Sequence, residues 1–419
     1  MSKKICLVVA LVGMCALSLF LRSCGSSSSR PSGLLYVLTQ GSNGTGNNVS
    51  SFAIDLGSGG LSLVNSNAST CATAGACGLP LQIVLDPTGA TAFVLNQGAI
   101  SSYKVNSDGS FGAPTTPTPW TVPAGDTAVA MSRDASGNLL LVITEGNQSL
   151  IPPLTPQLYV FSTKPGATSL TLTGNNCPET NTPCPYPLPR TPTALSAIAV
   201  STPAEELLFV TSNHDLSNNH NDNTVSLYGV GSDGTLTEKI GSPYATSTIN
   251  PLSVLAVNTN PAGQNSGGGV FVYVGAAGNA SGALDAFHVC TVVDGSTCLQ
   301  TDLDNAKLFP VGTPTPSGQN PVGMVVDPTN NFLYVVCEAT NQVFGYRIGT
   351  TTGLLTAPAN QPTGSQPVAL AIHSSGKFLY TSNSTANSIS AFTLSTTSGS
   401  MSSLPVVNSP AGPSGMAAR

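Results

Sequence analysis

Charged side chains are scarce in this sequence. Asp, Glu, Lys and Arg make up 8% of the 419 residues, against about 25% in an ordinary soluble domain. Solubility must therefore depend on neutral polar side chains, and few ionisable groups are available for chemistry. Without Lys3, Lys4 and Arg22, which lie in a leader described below, ten basic residues remain against 19 acidic ones. This acidic excess argues against nucleic acid or anionic lipid as a partner.

The apolar periodicity of helices is nearly absent after residue 30. The chain instead contains 43 Gly and 32 Pro, with many Ser, Thr and Asn between short β-branched runs. This composition is typical of many strands joined by turns. The length would suggest two or three domains, but a closed array of repeats counts as one.

A repeat of 46 residues is clearest towards the carboxyl-terminal end. The phrases that start at Gln319 and Ser365 align without a gap, and each contains three strand patterns separated by turns. Five looser copies share an apolar anchor that is followed by a second strand. Their anchors are Leu35-Tyr36-Val37, Ala92-Phe93-Val94, Leu140-Leu141-Val142, Leu208-Phe209-Val210 and Val272-Tyr273-Val274. Seven strand-only repeats of this size predict an all-β, seven-bladed β-propeller over residues 34–419.

The first repeat lacks its opening strand. Leu34 begins directly on the anchor, without the Pro-led strand that precedes the anchor in the clear later copies. Residues 412–418, at the other end of the chain, match the missing strand. We therefore predict that this segment pairs with the strand begun at Leu34, which closes the ring and removes exposed sheet edges. A frayed tail is the alternative, because the match is short and rich in Gly.

The amino-terminal segment has the pattern of an export signal. Lys3 and Lys4 precede an apolar stretch, and Leu21-Arg22-Ser23-Cys24 resembles the bacterial lipobox. Residues 1–23 are predicted to be a lipoprotein-type signal peptide, Cys24 the lipidated residue, and residues 24–33 a Gly/Ser tether. Arg22 departs from the small or apolar residue usual at its position, so simple secretion or an uncleaved anchor stays open.

Six of the seven cysteines beyond the leader fall into close pairs. The pairs are Cys71 with Cys77, Cys177 with Cys184, and Cys290 with Cys298. Each lies between strands in a segment where a disulfide, in an oxidising compartment, would stabilise the fold by about 2 kcal/mol. Metal binding is the alternative, but no pair has C-x-x-C spacing or an adjacent His. Cys337 ends an apolar strand and is predicted to be a small buried residue.

The repeat phrase resembles that of a known family. A Pro-led strand, a turn of the type (D/S)-P-x-G, an F-L-Y-V anchor and a later G-x-L recur along the chain. These phrases look like those of the seven-bladed lactonase family, which includes bacterial 6-phosphogluconolactonases and carboxy-muconate cyclases. The resemblance covers nearly all of the chain beyond the leader. YVTN-type surface propellers share the phrases without known hydrolysis, so the resemblance implies the fold more directly than the activity.

The resemblance carries over only part of a catalytic site. It implies a Glu after the anchor strand, which Glu338 matches, with Cys337 in place of the usual Asn. It also implies an Arg-His pair after the Pro of an inner strand, but Val322 and Gly323 stand there, and no other copy restores the pair. Lactone hydrolysis needs a base to activate water and a group that stabilises the developing oxyanion. Two of the three parts of the family's mechanism are therefore missing.

Seven repeat-equivalent positions, each four residues beyond an anchor, are mostly polar. They are Gln40, Gln97, Glu145, Asn213, Ala277, Glu338 and Ser384. In a propeller these positions lie on one face around the axis, so Glu145 and Glu338 could point towards a shared site for a hydroxylated ligand. The alternative is that residues at the start of tight turns are polar because they cap backbone groups.

A loop from Asn213 to Asn223 lies on the same predicted face. It holds two of the four histidines and two carboxylates, namely His214, His220, Asp215 and Asp222. Imidazole and carboxylate together suit a divalent ion or a general base. A flexible hairpin has the same composition and no recognised ligand spacing appears, so no metal site is assigned. Arg190 precedes an inner strand and is the cationic candidate at the channel mouth.

Two functions of different classes follow. In the first, the protein hydrolyses a sugar lactone or related ester, with Glu338 as base and Arg190 or His214 as the electrophile. The ligand-binding candidates are Glu145, Gln40, Gln97, Asn213 and Asp215. In the second, it is a non-catalytic propeller that recognises a glycan or a protein at the cell surface. No cofactor is expected, although a divalent metal stays open. The protein is expected to be a monomer outside the cytoplasm, with membrane contact only through its amino-terminal lipid.

Overall fold

The computed structural model is a ring of seven antiparallel sheets. It describes residues 33–41, 46–71, 76–116, 118–174, 176, 182–201, 204–217, 220–259, 268–278, 281–291 and 298–419. Each sheet has four or five strands and forms one blade, numbered here along the chain. The predicted all-β, seven-bladed propeller is confirmed.

The first four blades contain strands β1 to β17. Blade 1 has β1 (Leu34–Thr39), β2 (Asn48–Ile54) and β3 (Leu61–Ser69). Blade 2 has β4 (Pro80–Leu85), β5 (Thr91–Asn96), β6 (Ala99–Lys104) and β7 (Trp120–Thr121). Blade 3 has β8 (Ala128–Arg133), β9 (Leu139–Thr144), β10 (Gln157–Ser162), β11 (Thr171–Thr173) and β12 (Tyr186–Pro187). Blade 4 has β13 (Arg190–Ser201), β14 (Ala204–Asp215), β15 (Thr224–Val230), β16 (Leu236–Glu238) and β17 (Tyr244–Ala245).

The last three blades contain strands β18 to β31, and β32 returns to blade 1. Blade 5 has β18 (Pro251–Asn258), β19 (Val270–Ala276), β20 (Ala283–Val289), β21 (Leu308–Pro310) and β22 (Thr315–Pro316), with helix α1 (Gln300–Asp304) between β20 and β21. Blade 6 has β23 (Pro321–Val326), β24 (Phe332–Cys337), β25 (Gln342–Ile348) and β26 (Leu355–Pro362). Blade 7 has β27 (Pro367–Ile372), β28 (Phe378–Asn383), β29 (Ser388–Leu394), β30 (Met401–Ser403) and β31 (Val407–Asn408). The chain ends on β32 (Pro413–Ala418).

The inner strands define the two faces of the ring. They are β4, β8, β13, β18, β23, β27 and β32, and each pairs antiparallel with the next strand of its blade. The upper face is where the inner strands begin and the second strands end, as at Pro321 opposite Cys337. The lower face is where the second strands begin. Second strands such as β5, β9, β24 and β28 are buried along their whole length, because blades pack against both of their sides.

The ring closes through its two ends. Strand β32 pairs with β1, with Leu35 opposite Ala418 and Val37 opposite Met416. Backbone hydrogen bonds join Leu34 and Arg419 in both directions, at 3.1 and 2.9 Å. The predicted closure is confirmed, and the alternative of a frayed tail is wrong.

A repeated contact joins blade 5 to 6, 6 to 7 and 7 to 1. A tyrosine of the second strand donates its hydroxyl hydrogen to the carbonyl of a glycine in the following blade. The pairs are Tyr273 to Gly353 at 3.0 Å, Tyr334 to Gly399 at 3.1 Å, and Tyr380 to Gly59 at 2.9 Å. Each glycine has a positive φ and lies against a phenylalanine two residues before the tyrosine: Phe271, Phe332 or Phe378. We call this contact the tyrosine latch. It explains why the F-x-Y anchor and the later Gly recur in the sequence.

The (D/S)-P-x-G phrase forms the lower-face turns. Oδ1 of Asp327 accepts backbone hydrogen bonds from Asn331 and Phe332, at 2.8 and 2.7 Å. Asp86 caps its turn in the same way, and His373 replaces the carboxylate in blade 7, where Nδ1 lies 2.8 Å from Oγ of Ser375. Burial alone would raise the pKa of Asp86, but hydrogen bonds from its turn and from Gly166 together lower it.

The cysteine predictions are supported where the structure describes them. Disulfides join Cys71 to Cys77 and Cys290 to Cys298, with Cα–Cα distances of 5.8 and 5.6 Å. Cys184 is also disulfide-bonded, but Cys177 lies outside the described residues. Cys337 is a free thiol and is fully buried, and burial raises its pKa to about 12.

The predicted leader, with Cys24 and most of the tether, also lies outside the described residues. Within the described part of the chain, no helix has the length and apolar character needed to cross a membrane.

Candidate functional site

The central channel is a polar but uncharged cavity. It has a volume of about 470 Å³ and is lined by inner-strand residues of all seven blades. Backbone groups and neutral side chains such as Gln82, Thr193, Ser196 and Ser253 provide its polar surface. Among the lining residues that the structure describes, none carries an ionisable side chain. Proton transfer at this place would have no side chain to perform it.

The ring of repeat-equivalent positions is held by the backbone. In six blades the residue at this position donates its N–H to the carbonyl of the residue just before the inner strand. The pairs are Gln40 to Gly412, Gln97 to Leu79, Glu145 to Thr127, Ala277 to Asn250, Glu338 to Asn320, and Ser384 to Gln366. The ring therefore marks the joint between inner and second strands. This supports the interpretation that these residues cap turns.

The side chains of Gln40 and Gln97 also form hydrogen bonds at these joints. Nε2 of Gln40 donates to the carbonyl of Pro80 in blade 2 at 3.2 Å. Oε1 of Gln97 accepts the N–H of Leu79 at 3.2 Å. Each amide thus has a structural partner, and their predicted role in ligand binding has no contact to support it within the described chain.

The two carboxylates of the ring do not meet in any contact that the structure describes. Glu145 is exposed and lies in blade 3, whereas Glu338 is half-buried in blade 6. Oε1 of Glu338 accepts a hydrogen bond from Nε2 of Gln366 in blade 7, at 2.8 Å. From the sequence we expected both carboxylates around one axis, close enough to share a site. Blades 3 and 6 are not neighbours in the ring, so the two side chains are separated. Neither residue lines the channel.

Arg190 is held by two carboxylates. Its Nε lies 2.6 Å from Oδ2 of Asp222, and its Nη2 lies 3.5 Å from Oδ2 of Asp215. The Arg190 side chain is 16% exposed, so the pairs are shielded from water. This pairing was not predicted from the sequence, because Arg190 and Asp222 are 32 residues apart. Both ion pairs of Arg190 lie within blade 4, and Arg190 does not line the channel.

His214 lies in a crevice at the upper face between blades 4 and 5. The crevice has a volume of about 390 Å³ and is lined by Asn213, His214, Asn221, Asn223, Ile249 and Asn250. Strand β14 runs on to Asp215, and a bridge between Asp215 and His220 continues the pairing. In this extension His214 pairs with Thr191, which places it at the upper end of β13. The arrangement joins a half-buried imidazole to four carboxamides.

Residues of the loop and of the next blade fix the crevice together. The N–H of Asn250 donates to Oδ1 of Asn223 at 2.6 Å. The N–H of Asp222 donates to the carbonyl of Asn213 at 3.1 Å, and Asn250 has a φ of 59°. The sequence analysis named the loop that holds Asn221 and Asn223 but missed Ile249 and Asn250 of the next blade as members of the same site. A partial signal exists, since Asn250, Asn320 and Gln366 all directly precede an inner-strand Pro and all have a positive φ.

The metal alternative for this loop has no support in the described residues. Within them, no group of three or more His, Cys, Asp or Glu side chains is arranged to hold an ion. Asp215 instead caps a turn, with Oδ1 accepting from the N–H and hydroxyl of Ser217 at 2.8 and 2.7 Å. Its predicted role as a ligand-binding residue therefore competes with two structural roles.

Among the described carboxyl groups, the one whose pKa is raised furthest lies on the lower face. Glu206 borders a cleft of about 650 Å³ between blades 3 and 4, together with Asp134, Glu205 and Lys239. Burial raises the pKa of Glu206 to about 7, with a further contribution from Asp134, although the N–H of Ala135 donates to Oε1 at 3.1 Å. Lys239 does not compensate this burial, because its Nζ is bound to Glu205 at 2.6 and 2.8 Å.

Comparison with known proteins supports the family resemblance. Residues 222–371 match the family model for the seven-bladed β-propeller lactonases. No curated protein matches the sequence. The resemblance stated from the repeat phrases is therefore confirmed over these residues.

Solved structures share the fold at low identity. A protein from Bacteroides fragilis proposed to be a 6-phosphogluconolactonase is 13% identical, with a TM-score of 0.64 over 94% of this chain and 99% of that one. The periplasmic gluconolactonase of Pseudomonas aeruginosa is 16% identical, with a TM-score of 0.58 over 91% and 98%. A protein from Lactobacillus plantarum is 14% identical, with a TM-score of 0.63 over 92% and 99%. At these identities the likeness shows the propeller fold alone.

Proposed function

From the match to the seven-bladed lactonase family, we propose that this protein is a lactonase-like hydrolase that opens a sugar lactone or related ester at its upper face. The observation that carries the proposal is the crevice of about 390 Å³ in which His214 lies among Asn213, Asn221, Asn223 and Asn250. This crevice combines an imidazole with four carboxamides, and its described lining carries no carboxylate, Lys or Arg. Those groups suit a hydroxylated ring.

The chemistry follows from these residue types. A neutral imidazole can act as a general base, so His214 would accept one proton of a water as the water oxygen attacks the lactone carbonyl carbon. Carboxamide N–H groups of the crevice would stabilise the oxyanion that forms, as amide side chains do in other acyl-transfer sites. The ring C–O bond then breaks, and the alkoxide takes the proton from His214. The product is an open hydroxy acid.

Arg190 and Asp222 would position this site. Asp222 follows Asn221 and precedes Asn223, so its ion pair with Arg190 anchors the segment that supplies two of the carboxamides. The predicted role of Arg190 as an electrophile is replaced by this structural role. Glu338 lies two blades away from His214 and is bound by Gln366, so we assign the base to His214 instead.

Replacing His214 tests the assignment. The variant His214→Gln should fold as the parent does and lose about 10² to 10⁴ in kcat, the range of a positioned general base. The rate of lactone opening, corrected for spontaneous hydrolysis, is the measurement. His288→Gln is the matched control, because His288 lies in β20 beside Phe271. If Glu338→Gln loses activity while His214→Gln keeps it, the base is Glu338 and our assignment is wrong.

A second candidate function is non-catalytic binding of a glycan or protein at this face. The neutral channel lining favours it, since it offers hydrogen bonds without an acid or base. Binding of a sugar or sugar alcohol with no turnover of any lactone would establish this function in place of the first.

We also propose that the protein is exported and works as a monomer outside the cytoplasm. The disulfides at Cys71–Cys77 and Cys290–Cys298 are compatible with an oxidising compartment. The lipidated Cys24 stays a prediction of the sequence. Release of a Cys24→Ala variant from the membrane fraction, with the parent retained, is the expected result. A parent found in the cytoplasm would contradict export.

A further inference from the structure

We infer that the His214 crevice is selective for an uncharged ligand, one without a phosphate or a free carboxylate. The inference rests on the proposed function and narrows its substrate class to neutral lactones or esters. It is carried by the distribution of charge between the two faces of the ring.

Within the described residues, Lys and Arg side chains are almost absent from the upper face. The described part of the chain contains nine Lys and Arg residues, and strand register and contacts place eight of them at lower-face ends of strands or at the outer edge. These eight are Lys104, Arg133, Lys164, Lys239, Lys307, Arg347, Lys377 and Arg419. Arg190 alone, within those described residues, lies at the upper face.

Arg190 is already neutralised. It faces two carboxylates at 2.6 and 3.5 Å, and the exposed fractions of the Arg190, Asp222 and Asp215 side chains are 16%, 30% and 10%. An incoming phosphate would have to displace Asp222 from the guanidinium and would still meet both carboxylates. The crevice lining itself adds carboxamides, one imidazole and Ile249. Side chains that bind phosphate in proteins are instead mainly guanidinium and ammonium groups that are free to bind.

The remaining charges of the upper face are negative. Among the residues that the structure describes, six carboxylates lie at this face, namely Asp126, Glu145, Asp215, Asp222, Asp285 and Glu338. Charges within about 8 Å act on one another at physiological ionic strength, and three of the six flank the crevice: Asp215 and Asp222 adjoin its lining residues in sequence, and Asp285 accepts from the N–H groups of Ser247 and Thr248, next to Ile249. A concave surface concentrates their field. A dianionic phosphate therefore approaches against repulsion, whereas an uncharged sugar lactone does not.

The same field acts on the product. Opening a neutral lactone forms a C–O bond to water, breaks the ring C–O bond and yields a hydroxy acid, which loses its proton near neutral pH. The product is thus an anion although the substrate was neutral. The acidic face favours its departure, so we expect weak inhibition by product.

The test compares gluconolactone with 6-phosphogluconolactone on the parent protein. We expect kcat/KM to favour the neutral lactone by about tenfold or more at low ionic strength, and the preference to shrink as salt screens the charges. Gluconate should inhibit weakly. Equal or faster opening of the phosphorylated lactone, or a preference that salt does not change, would overturn the inference while leaving the proposed function intact.

Freeing Arg190 should change the preference. Asp222→Asn leaves the shape and removes one of the two carboxylates, so the relative rate on the phosphorylated lactone should rise several-fold. Asp304→Asn, in helix α1 of blade 5, is the matched control and should leave the ratio unchanged. Arg190→Gln is the second variant and removes the positive charge beside Asp215 and Asp222, so it should lower the relative rate on the phosphorylated lactone at low ionic strength and not at high salt. A selective loss of the phosphorylated substrate in Arg190→Gln that persists at high salt would show that Arg190 binds the phosphate directly, against the inference. Melting temperatures confirm that each variant folds.

Failure of the proposed function gives a different result. If neither lactone is opened, calorimetric titration with glucitol and glucitol 6-phosphate replaces the rate measurement. Tighter binding of glucitol supports selectivity for neutral ligands in a non-catalytic protein. Equal or tighter binding of the phosphate, or no binding of glucitol, overturns it.

Discussion

At the scale of single residues, local partners decide what each ionisable group does. Arg190 and Glu338 were candidates because of their place in the repeat, yet Arg190 is bound by Asp222 and Glu338 by Gln366. Glu206 was not a candidate from the sequence, yet burial beside Asp134 raises its pKa to about 7. A sequence shows the type and order of charges, but the partners come from blades that meet only in the folded ring.

Replacing Glu206 with Gln should stabilise the folded protein at high pH, because the buried carboxylate is then absent. The pKa of the folded state, about 7, lies above the ordinary value of 4.5, so the folded protein binds the proton more tightly than the unfolded chain does. Stability from this group is therefore full below about pH 4.5 and is lost as the pH rises through 7. We expect Glu206→Gln to melt higher than the parent at pH 8 and at nearly the same temperature at pH 4.5.

The melting temperatures of Glu206→Gln and parent at the two pH values are the measurement. Glu145→Gln is the control, because Glu145 is exposed at the other face and should show no such difference. The same shift at both pH values would contradict a buried, protonated Glu206.

At the scale of elements, the tyrosine latch explains the repeat signature in physical terms. The second-strand tyrosine reaches a glycine of the next blade, and the phenylalanine before it covers the place that a Cβ would take. Any other residue would therefore meet both an unfavourable φ and a filled space. The F-x-Y anchor and the later Gly are two halves of one contact between neighbouring blades.

A set of glycine substitutions separates these two effects. Gly399→Ala should lower the free energy of unfolding by about 1–3 kcal/mol, the range of an overpacked site, because Gly399 has a φ of 71° and lies against Phe332. Gly166→Ala meets only the backbone effect, since φ is 77° and no heavy atom lies within 4 Å of its Cβ. Gly112→Ala meets neither and is the control. Chemical denaturation measures all three, and equal losses at Gly399 and Gly166 would exclude a packing role for the latch.

At the scale of the whole molecule, closure makes the stability of the ring depend on its last strand. Deleting residues 412–419 removes β32, which pairs with β1 and packs beside β4 and β27. We expect the melting temperature to fall by many degrees, because blade 1 loses its inner strand and its neighbours lose their packing. A variant with Gly/Ser residues in place of 412–419 should melt like the deletion. Melting like the parent in either variant would contradict closure by β32.

The fold was largely predictable from the sequence, and the site was not. Seven anchors, the Pro-led inner strands and the match of residues 412–418 to the missing strand are all repeated features, so each copy supports the others. The disulfides follow from short spacing between Cys71 and Cys77, and between Cys290 and Cys298. The crevice depends on Asn250 of blade 5 approaching Asn223 of blade 4. That contact recurs at other junctions, where the N–H groups of Gln366 and Gly412 donate to Oδ1 of Asn341 and Asn387, each at 2.7 Å. The imidazole of His214 beside it has no counterpart at the equivalent positions of the other blades, so the repeat does not indicate the site.

The tyrosine latch at the junction of the two chain ends is the same contact as the latch between blades 6 and 7. The hydroxyl of Tyr380 in blade 7 donates to the carbonyl of Gly59 in blade 1 at 2.9 Å, as the hydroxyl of Tyr334 donates to the carbonyl of Gly399 at 3.1 Å. Leu34 and Arg419 are joined by backbone hydrogen bonds. These contacts between blades therefore do not depend on which blade comes first in the sequence. A circular permutant that joins Arg419 to Leu34 and opens the chain between two other blades would keep these latches unchanged.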